Sequence, residues 1–448
     1  MTSTAPPIEA TSSVAWLQAA LARLDILLHR QLQRYSQSRV HESENGPLQK
    51  YYVTEDQAYS LLYQGPGHRA PELPAADVDD YVQALDSLER RLAGLAADAT
   101  AAGVRIPFVH LAECMGLSAF ERDVLLVALA PELDARYGRI YGYLNDDPAL
   151  ELATVDLVLD LLTSPGLGRL SLLRHMGPQA ALVQRHLIEL APFGPTASRL
   201  RTTIRPDSGI TAWLSGEYAP SQALHGHLLL EPERDASLWL LSADLQQQLA
   251  DAARSNDLVV LHGRDQLAQR SALDFLAALA DRPLLVLDVE SATRAGLPFA
   301  LAVEHTLRDA LLIDAIPVFS GWDQAPLREA LTRTLVEELV TYPNLLVLTG
   351  ARRWQPRLVA RDRRLRLISL PVPDSHDRRA FVESFLSDAG VDADAVGDLT
   401  TLTGQFSLTG EQWRDVVYAA LDSAAQSGAA LNMEDLYAAA RDVSSPGL

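Results

Sequence analysis

LVVLHGRDQLAQRSAL, running from Leu258 to Leu273, decides how the second half of this chain folds. An apolar run, then Gly263, then a helical pattern follow in order, as where a buried strand turns into a helix. In that context many α/β proteins carry a phosphate-cradling loop, G-x-x-x-x-G-K-[ST]. Its lysine neutralises the β- and γ-phosphates and its hydroxyl holds Mg²⁺. Aligned from Gly263, the second glycine is Ala268, the lysine is Gln269 and the hydroxyl is Arg270, with Ser271 following. The only lysine in all 448 residues is Lys50, so no neighbour substitutes for it. A lone glycine after a strand also suits any α/β turn, so the stretch by itself identifies a strand–helix junction rather than a reaction.

Around it the same texture repeats. Strand candidates are Leu258–His262, Leu284–Asp288, Ile316–Ser320, Leu345–Thr349 and Leu365–Leu370. Helical segments separate them, among them Ala243–Ser255, Gln269–Ala280 and Leu327–Val340. Short buried strands alternating with helices predict a parallel sheet, here of five strands. After Pro373 the chain reads as helical to its end.

The front half is different. Val14–Arg39 and Asp77–Gly103 read as long amphipathic helices, separated by a polar stretch, His41–Gln49, and a Pro- and Gly-rich linker, Gln64–Asp77. Ser118 and Glu121 form a capping-box pattern before an apolar run. Pro131 is read as the start of the next helix, and Thr154 as the start of a third. Strand-like segments follow at Arg185–Leu190 and Arg199–Ile204. Three helices and then a strand pair is the order of a winged helix. Its candidate recognition helix, Thr154–Thr163, carries Asp156 and Asp160 and no Lys or Arg, the wrong charge for a DNA groove. Four regions result: a helical region at 1–104, a winged-helix-like domain at 105–232, an α/β domain at 233–374 and a helical lid at 375–448.

A net charge of −20 disfavours nucleic acid or an anionic membrane as main partner. Cys114 is the only cysteine, which excludes an internal disulfide and a thiolate metal cluster. The N-terminus lacks the basic and apolar parts of a signal peptide, and no apolar run reaches membrane-spanning length; a cytoplasmic location is expected. His225 and His227 alternate beside LLLE and read as a strand edge rather than a metal site.

The order of these parts resembles the AAA ATPases. In that family the third strand ends in an Asp, usually followed by Glu, that organises Mg²⁺ and water. Here IPVFSGWD puts Ser320 and Gly321 in those places, with Asp323 beyond. LLVLTG resembles the sensor 1 strand, with Thr349 at its tip. The resemblance further implies an arginine-finger role for Arg363 and a sensor 2 role for Arg414. FERDVLLVALAPELDARYGRIYGYLNDD, followed by TVDLVLDLL, resembles the N-terminal region of bacterial winged-helix AAA ATPases, some of them encoded with contractile injection systems. In those proteins a degenerate first module precedes an intact second one, and this sequence stops at SSPGL, where the second would begin.

ATP and Mg²⁺ are the cofactors this resemblance implies, and the degenerate loop Gly263, Arg264, Gln269, Arg270, Ser271 predicts a site that does not use them for hydrolysis. No metal site is expected. Three functional readings follow. The chain is a pseudo-ATPase module that assembles with itself or with a second AAA module. It is a nucleotide-binding or weakly active ATPase, with Arg264 and Arg270 on the phosphates. Or it is a winged-helix DNA-binding regulator. Protein partners through the front region are expected, and nucleic acid and membrane are not.

Overall fold

The computed structural model describes residues 10–39, 59, 73–164, 166–194, 198–232, 241–325, 333–354, 363–370 and 373–444. It divides into two compact units, Met1–Gln222 and Ala223–Leu448. The stretch His41–Gln49, Lys50 and most of the 64–77 linker lie outside the described residues.

In the first unit the helices Ala10–Arg39 and Ala75–Ala101 pack together. The helical repeat of Ala20, Leu24, Leu27 and Leu28 buries all four. Arg23 joins the two helices through Glu89 at 3.2 Å and ties them to the helix Ala119–Leu133 through Asp123 at 3.0 Å. The helix Ala119–Leu133 opens on the expected capping box, Ser118 with Glu121. Pro131 does not begin a helix: it lies inside this one. A proline there offers no N–H to the carbonyl four residues back, that of Val127. The buried Tyr141 hydroxyl donates to that carbonyl instead, at 2.9 Å. The next helix, Ala135–Leu144, starts at Asp134, whose side chain accepts from Arg136 N at 2.9 Å.

Thr154 caps the helix Val155–Leu162 as expected. A ten-residue 3-10 helix, Leu167–Met176, follows, which the sequence reading did not anticipate. The strand pair falls two to three residues later than expected, at β2 (Ile188–Pro192) and β3 (Thr202–Pro206). A short helix, Ala181–Gln184, and a Ser198-capped turn, Arg199–Arg201, occupy the positions in front of them. With β1 (Ala153–Thr154) they form an antiparallel sheet ordered β1-β3-β2.

The second unit is built on a six-stranded sheet, not five, ordered β4-β6-β7-β8-β5-β9. Its strands are β4 (Leu228–Glu231), β5 (Leu258–His262), β6 (Leu284–Asp288), β7 (Ile316–Ser320), β8 (Leu346–Gly350) and β9 (Leu365–Ser369). The last five are mutually parallel, and β4 runs antiparallel to β6 at the edge. The β4 strand comes from LLLE, on the front side of the boundary read at 232. In β5 four successive residues, Leu258 to Leu261, are buried, as a strand covered on both faces requires. After Pro373 five helices surround Trp413, which is fully buried among Phe381, Phe385, Leu402 and Leu436.

Candidate functional site at the carboxyl edge of the central strand

In open parallel sheets, ligands bind outside the carboxyl ends of the strands where the order of connections reverses. Here the chain leaves β5 for β6, works back through β7 and β8, and crosses to β9 on the other side of β5. The candidate site is therefore the carboxyl end of β5, at Gly263.

Only Gly263, Arg264 and Asp265 separate β5 from the helix Gln266–Ala280, which begins three residues earlier than the sequence predicts. Ala268, Gln269, Arg270 and Ser271 are thus helical and form no loop. Four of the backbone donors at this junction are already used. Gly263 N donates to Gly350 O at 3.1 Å, extending the ladder beyond β5. Leu267 N and Ala268 N donate to the Asp265 carboxylate at 3.0 and 3.2 Å. Gln269 N donates to Asp265 O at 3.1 Å. Gly263 is needed for close approach, since a Cβ there would lie 2.7 Å from Leu370 O.

Asp265 is the residue that sequence reasoning missed. Its second oxygen accepts from Gly410 N at 2.8 Å, and Gly410 is the first residue of the helix Gly410–Ser427. Two helix N-termini, each carrying partial positive charge, therefore share one carboxylate. That carboxylate is 4% exposed. It stands where an external anion would bind a helix N-terminus. The signal was present: an Asp before an apolar-periodic run is a helix-start pattern. Alignment to the phosphate-loop pattern pushed the helix start past it.

The remaining sequence-predicted residues are scattered. Gln269 sits at the lysine position and donates its side-chain amide to Gly263 O at 2.7 Å. Arg264 is exposed. Arg270 points away from the junction and pairs with Glu231 and with Asp274, the latter at 2.9 Å. Ser271 is buried on the inner side of its helix. Ser320 ends β7, and Asp323 beyond it accepts from Ala351 N at 3.3 Å. Thr349 is buried within β8, level with Leu261 of β5. His262 lies beside this group. Burial, and then the nearby Arg353 charge, hold its pKa below the usual histidine value. Arg414, in the first turns of the helix Gly410–Ser427, pairs loosely with Glu411 at 3.5 Å and Asp415 at 3.4 Å.

Arg363 lies at the opposite end of the sheet. Its guanidinium donates to the carbonyls of Asn256 at 3.1 Å, Leu339 at 2.9 Å, Tyr342 at 2.5 Å and Asp257 at 3.2 Å, and to that of Asn344. Asn256 and Asp257 precede β5, so this cluster staples the amino ends of the strands and the end of the helix Arg333–Thr341. Burial brings the Arg363 pKa down to about 10. An arginine with its guanidinium turned into five carbonyls of its own fold is not presented to a neighbour.

The cleft beside Asp265 is lined by Leu241, Ser242, Ala268, Asp377 and Phe381 among others and holds about 50 Å³. Ligand pockets for nucleotide-sized molecules run from roughly 300 Å³ upward. Two carboxylates, Asp265 and Asp377, border it, the wrong sign for phosphates. ATP and Mg²⁺ therefore do not fit the residues present: four of the junction's donors are taken, and the lysine and the acidic metal position are replaced. Among the described residues there is also no group of three or more His, Cys, Asp or Glu that would hold a metal ion.

Residues 9–227 match the family model described as "Winged helix domain, variant". That match covers the front of the chain. Among solved structures, the chain is similar to the FIGL-1 AAA domain in complex with ADP, at 14% identity and a TM-score of 0.38, over 50% of this chain and 88% of that one. No curated protein matches this sequence. No helix among the described residues is long and apolar enough to cross a membrane.

Proposed function

We propose that this chain is a pseudo-ATPase: a winged-helix domain followed by a degenerate AAA-type module with a helical lid, serving as an assembly or regulatory part of an ATP-driven remodelling machine. The machine is of the kind encoded with contractile injection systems, and the partners are further copies of the chain or a second, intact AAA module. The observation that carries the reading is Asp265. Its carboxylate fills the anion position at the start of the helix after β5 and joins that helix to the C-terminal bundle. In an active module the phosphates would make that link and hydrolysis would release it. Here the chain's own carboxylate makes the link through hydrogen bonds, with no ligand needed.

The nucleotide-binding alternative rested on Arg264 and Arg270. Arg270 is engaged by Glu231 and Asp274, which leaves Arg264 alone. The DNA-binding alternative rested on the winged-helix order. Asp156 and Asp160 of its candidate recognition helix are bonded to the buried Arg169 at 2.8 and 2.7 Å, so that element is held by packing needs. The deciding experiment is calorimetric titration of the chain with ATP and Mg²⁺, beside a steady-state hydrolysis assay. No heat of binding at tens of micromolar protein and no turnover above background are expected. A turnover near ~1 s⁻¹, typical of slow phosphoryl-transfer enzymes, would overturn the reading.

A further inference from the structure

We propose that the front unit associates head-to-tail with other copies of this chain, the basic surface of its 3-10 helix and wing in one copy taking the acidic face of the helix Ala75–Ala101 in the next. It concerns residues outside the candidate nucleotide site and does not rest on the pseudo-ATPase reading.

Charge in this acidic chain is segregated. Between Gly166 and Pro206 lie Arg169, Arg174, Arg185, Arg199, Arg201 and Arg205 against a single acid, Glu189. Arg169 is internal, and Arg201 is held by Asp147 at 3.0 Å. Arg174, Arg199 and Arg205 are exposed with no ion pair to a described residue. Apolar groups sit among them. In a 3-10 helix, residues three apart stand in line. Leu167 and Leu170 do so at 65% and 54% exposure. Arg199 donates to Leu173 O at 3.1 Å, which brings the exposed Leu200 and Phe193 of the wing alongside. Exposed leucines rimmed by arginines suit an acidic, apolar protein surface better than a nucleic acid, which offers phosphates but little for leucine.

The same unit presents that complement. From Ala75 to Glu89 there are five acids and no basic residue. On the helix, Val78, Asp79, Val82 and Asp86 fall on one side. Val78 and Val82 are exposed, at 42% and 49%, and the two aspartates beside them are exposed as well. Donor and acceptor surfaces are different patches of one unit, so the contact is heterologous and extends into a ring or a filament, not a two-fold dimer.

Sedimentation of the full chain without nucleotide tests this. Association that grows with concentration and weakens at least tenfold between 50 and 300 mM salt is expected, as ~10 Å screening lengths predict. The variants Arg174→Glu/Arg199→Glu and Asp79→Arg/Asp86→Arg should each remain monomeric. Their equimolar mixture should associate again, because every contact is then between opposite charges; that recovery also shows both variants to be folded. Four outcomes overturn the inference: a monomeric wild type at 50 mM salt and tens of micromolar, association that survives in either variant, a mixture that stays monomeric, or growth that stops at a dimer. Duplex DNA binding lost in the arginine variant, without self-association, would assign the basic surface to nucleic acid instead.

Discussion

One carboxylate oxygen on Asp265 caps the helix Gln266–Ala280 and the other caps Gly410–Ser427, so a single substitution reaches both halves of the second unit. Asp265→Ala removes a helix cap and leaves the buried Gly410 N–H without a partner, and should destabilise by about 2–3 kcal/mol in urea unfolding. Asp265→Asn keeps one acceptor oxygen but sets a donor amide against the other helix start, so it should recover only part of that loss; losses within about 0.5 kcal/mol for both variants would show that the shared cap is unimportant. Arg363 carries an opposite lesson. The AAA resemblance implies a residue offered to a neighbour, whereas the guanidinium is spent on five carbonyls of its own sheet. Arg363→Ala should cost about 2–3 kcal/mol through carbonyls left unsatisfied. A change within about ±0.5 kcal/mol, usual for a surface site, would return Arg363 to the interface role. His262 adds a pH dependence. Its folded pKa lies below its ordinary 6.5, so the unfolded chain takes up a proton first as pH falls. Its contribution is complete above pH 6.5 and declines below it. His262→Asn should therefore flatten the fall in melting temperature between pH 7.5 and 5.

At the scale of elements, the central strands of the large sheet were legible and the junctions were not. β5, β6 and β7 match their sequence-read bounds because each opens on four consecutive apolar residues, which leave little choice of register. The start of the helix after β5 was misplaced because a motif template was imposed on a local capping signal. Pro131 was misplaced because its missing hydrogen bond is offset from Tyr141, ten residues on in sequence, which no local rule reveals. That compensation is testable. Tyr141→Phe leaves the Val127 carbonyl buried and unpaired and should cost about 1–3 kcal/mol. Pro131→Ala restores an N–H at the right place, so in that background the Tyr141→Phe cost should largely vanish. A double variant as unstable as the sum of the two singles would refute the exchange. At the candidate site the engagements of Arg270 and Arg363 were not legible, since Glu231 and the 256–257 carbonyls that hold them are distant in sequence.

For the whole molecule, the question is where one unit ends and the next begins. The alternation of strands and helices starts only at about Leu238, and the sequence-read boundary is 232. The division falls ten residues earlier, at Gln222, because β4 belongs to the large sheet. β4 is short, and Leu229 and Leu230 are exposed, so nothing in its own pattern advertises burial. Its place is fixed from outside. It pairs antiparallel with β6, His227 O accepts from Asp288 N at 2.9 Å, and His227 Nδ1 meets Ser291 Oγ at 2.8 Å. Glu231 closes the arrangement by pairing with Arg270, at the start of the helix that the P-loop pattern had assigned to phosphate. Two fragments separate the boundaries. Residues 223–448 should unfold cooperatively as an independent unit. Residues 233–448 lack β4, which opens the edge of β6 and leaves Arg270 with Asp274 alone, and should lose about 2 kcal/mol or more relative to the longer fragment. Identical urea midpoints for the two fragments would place β4 outside the stable sheet and restore the boundary at 232.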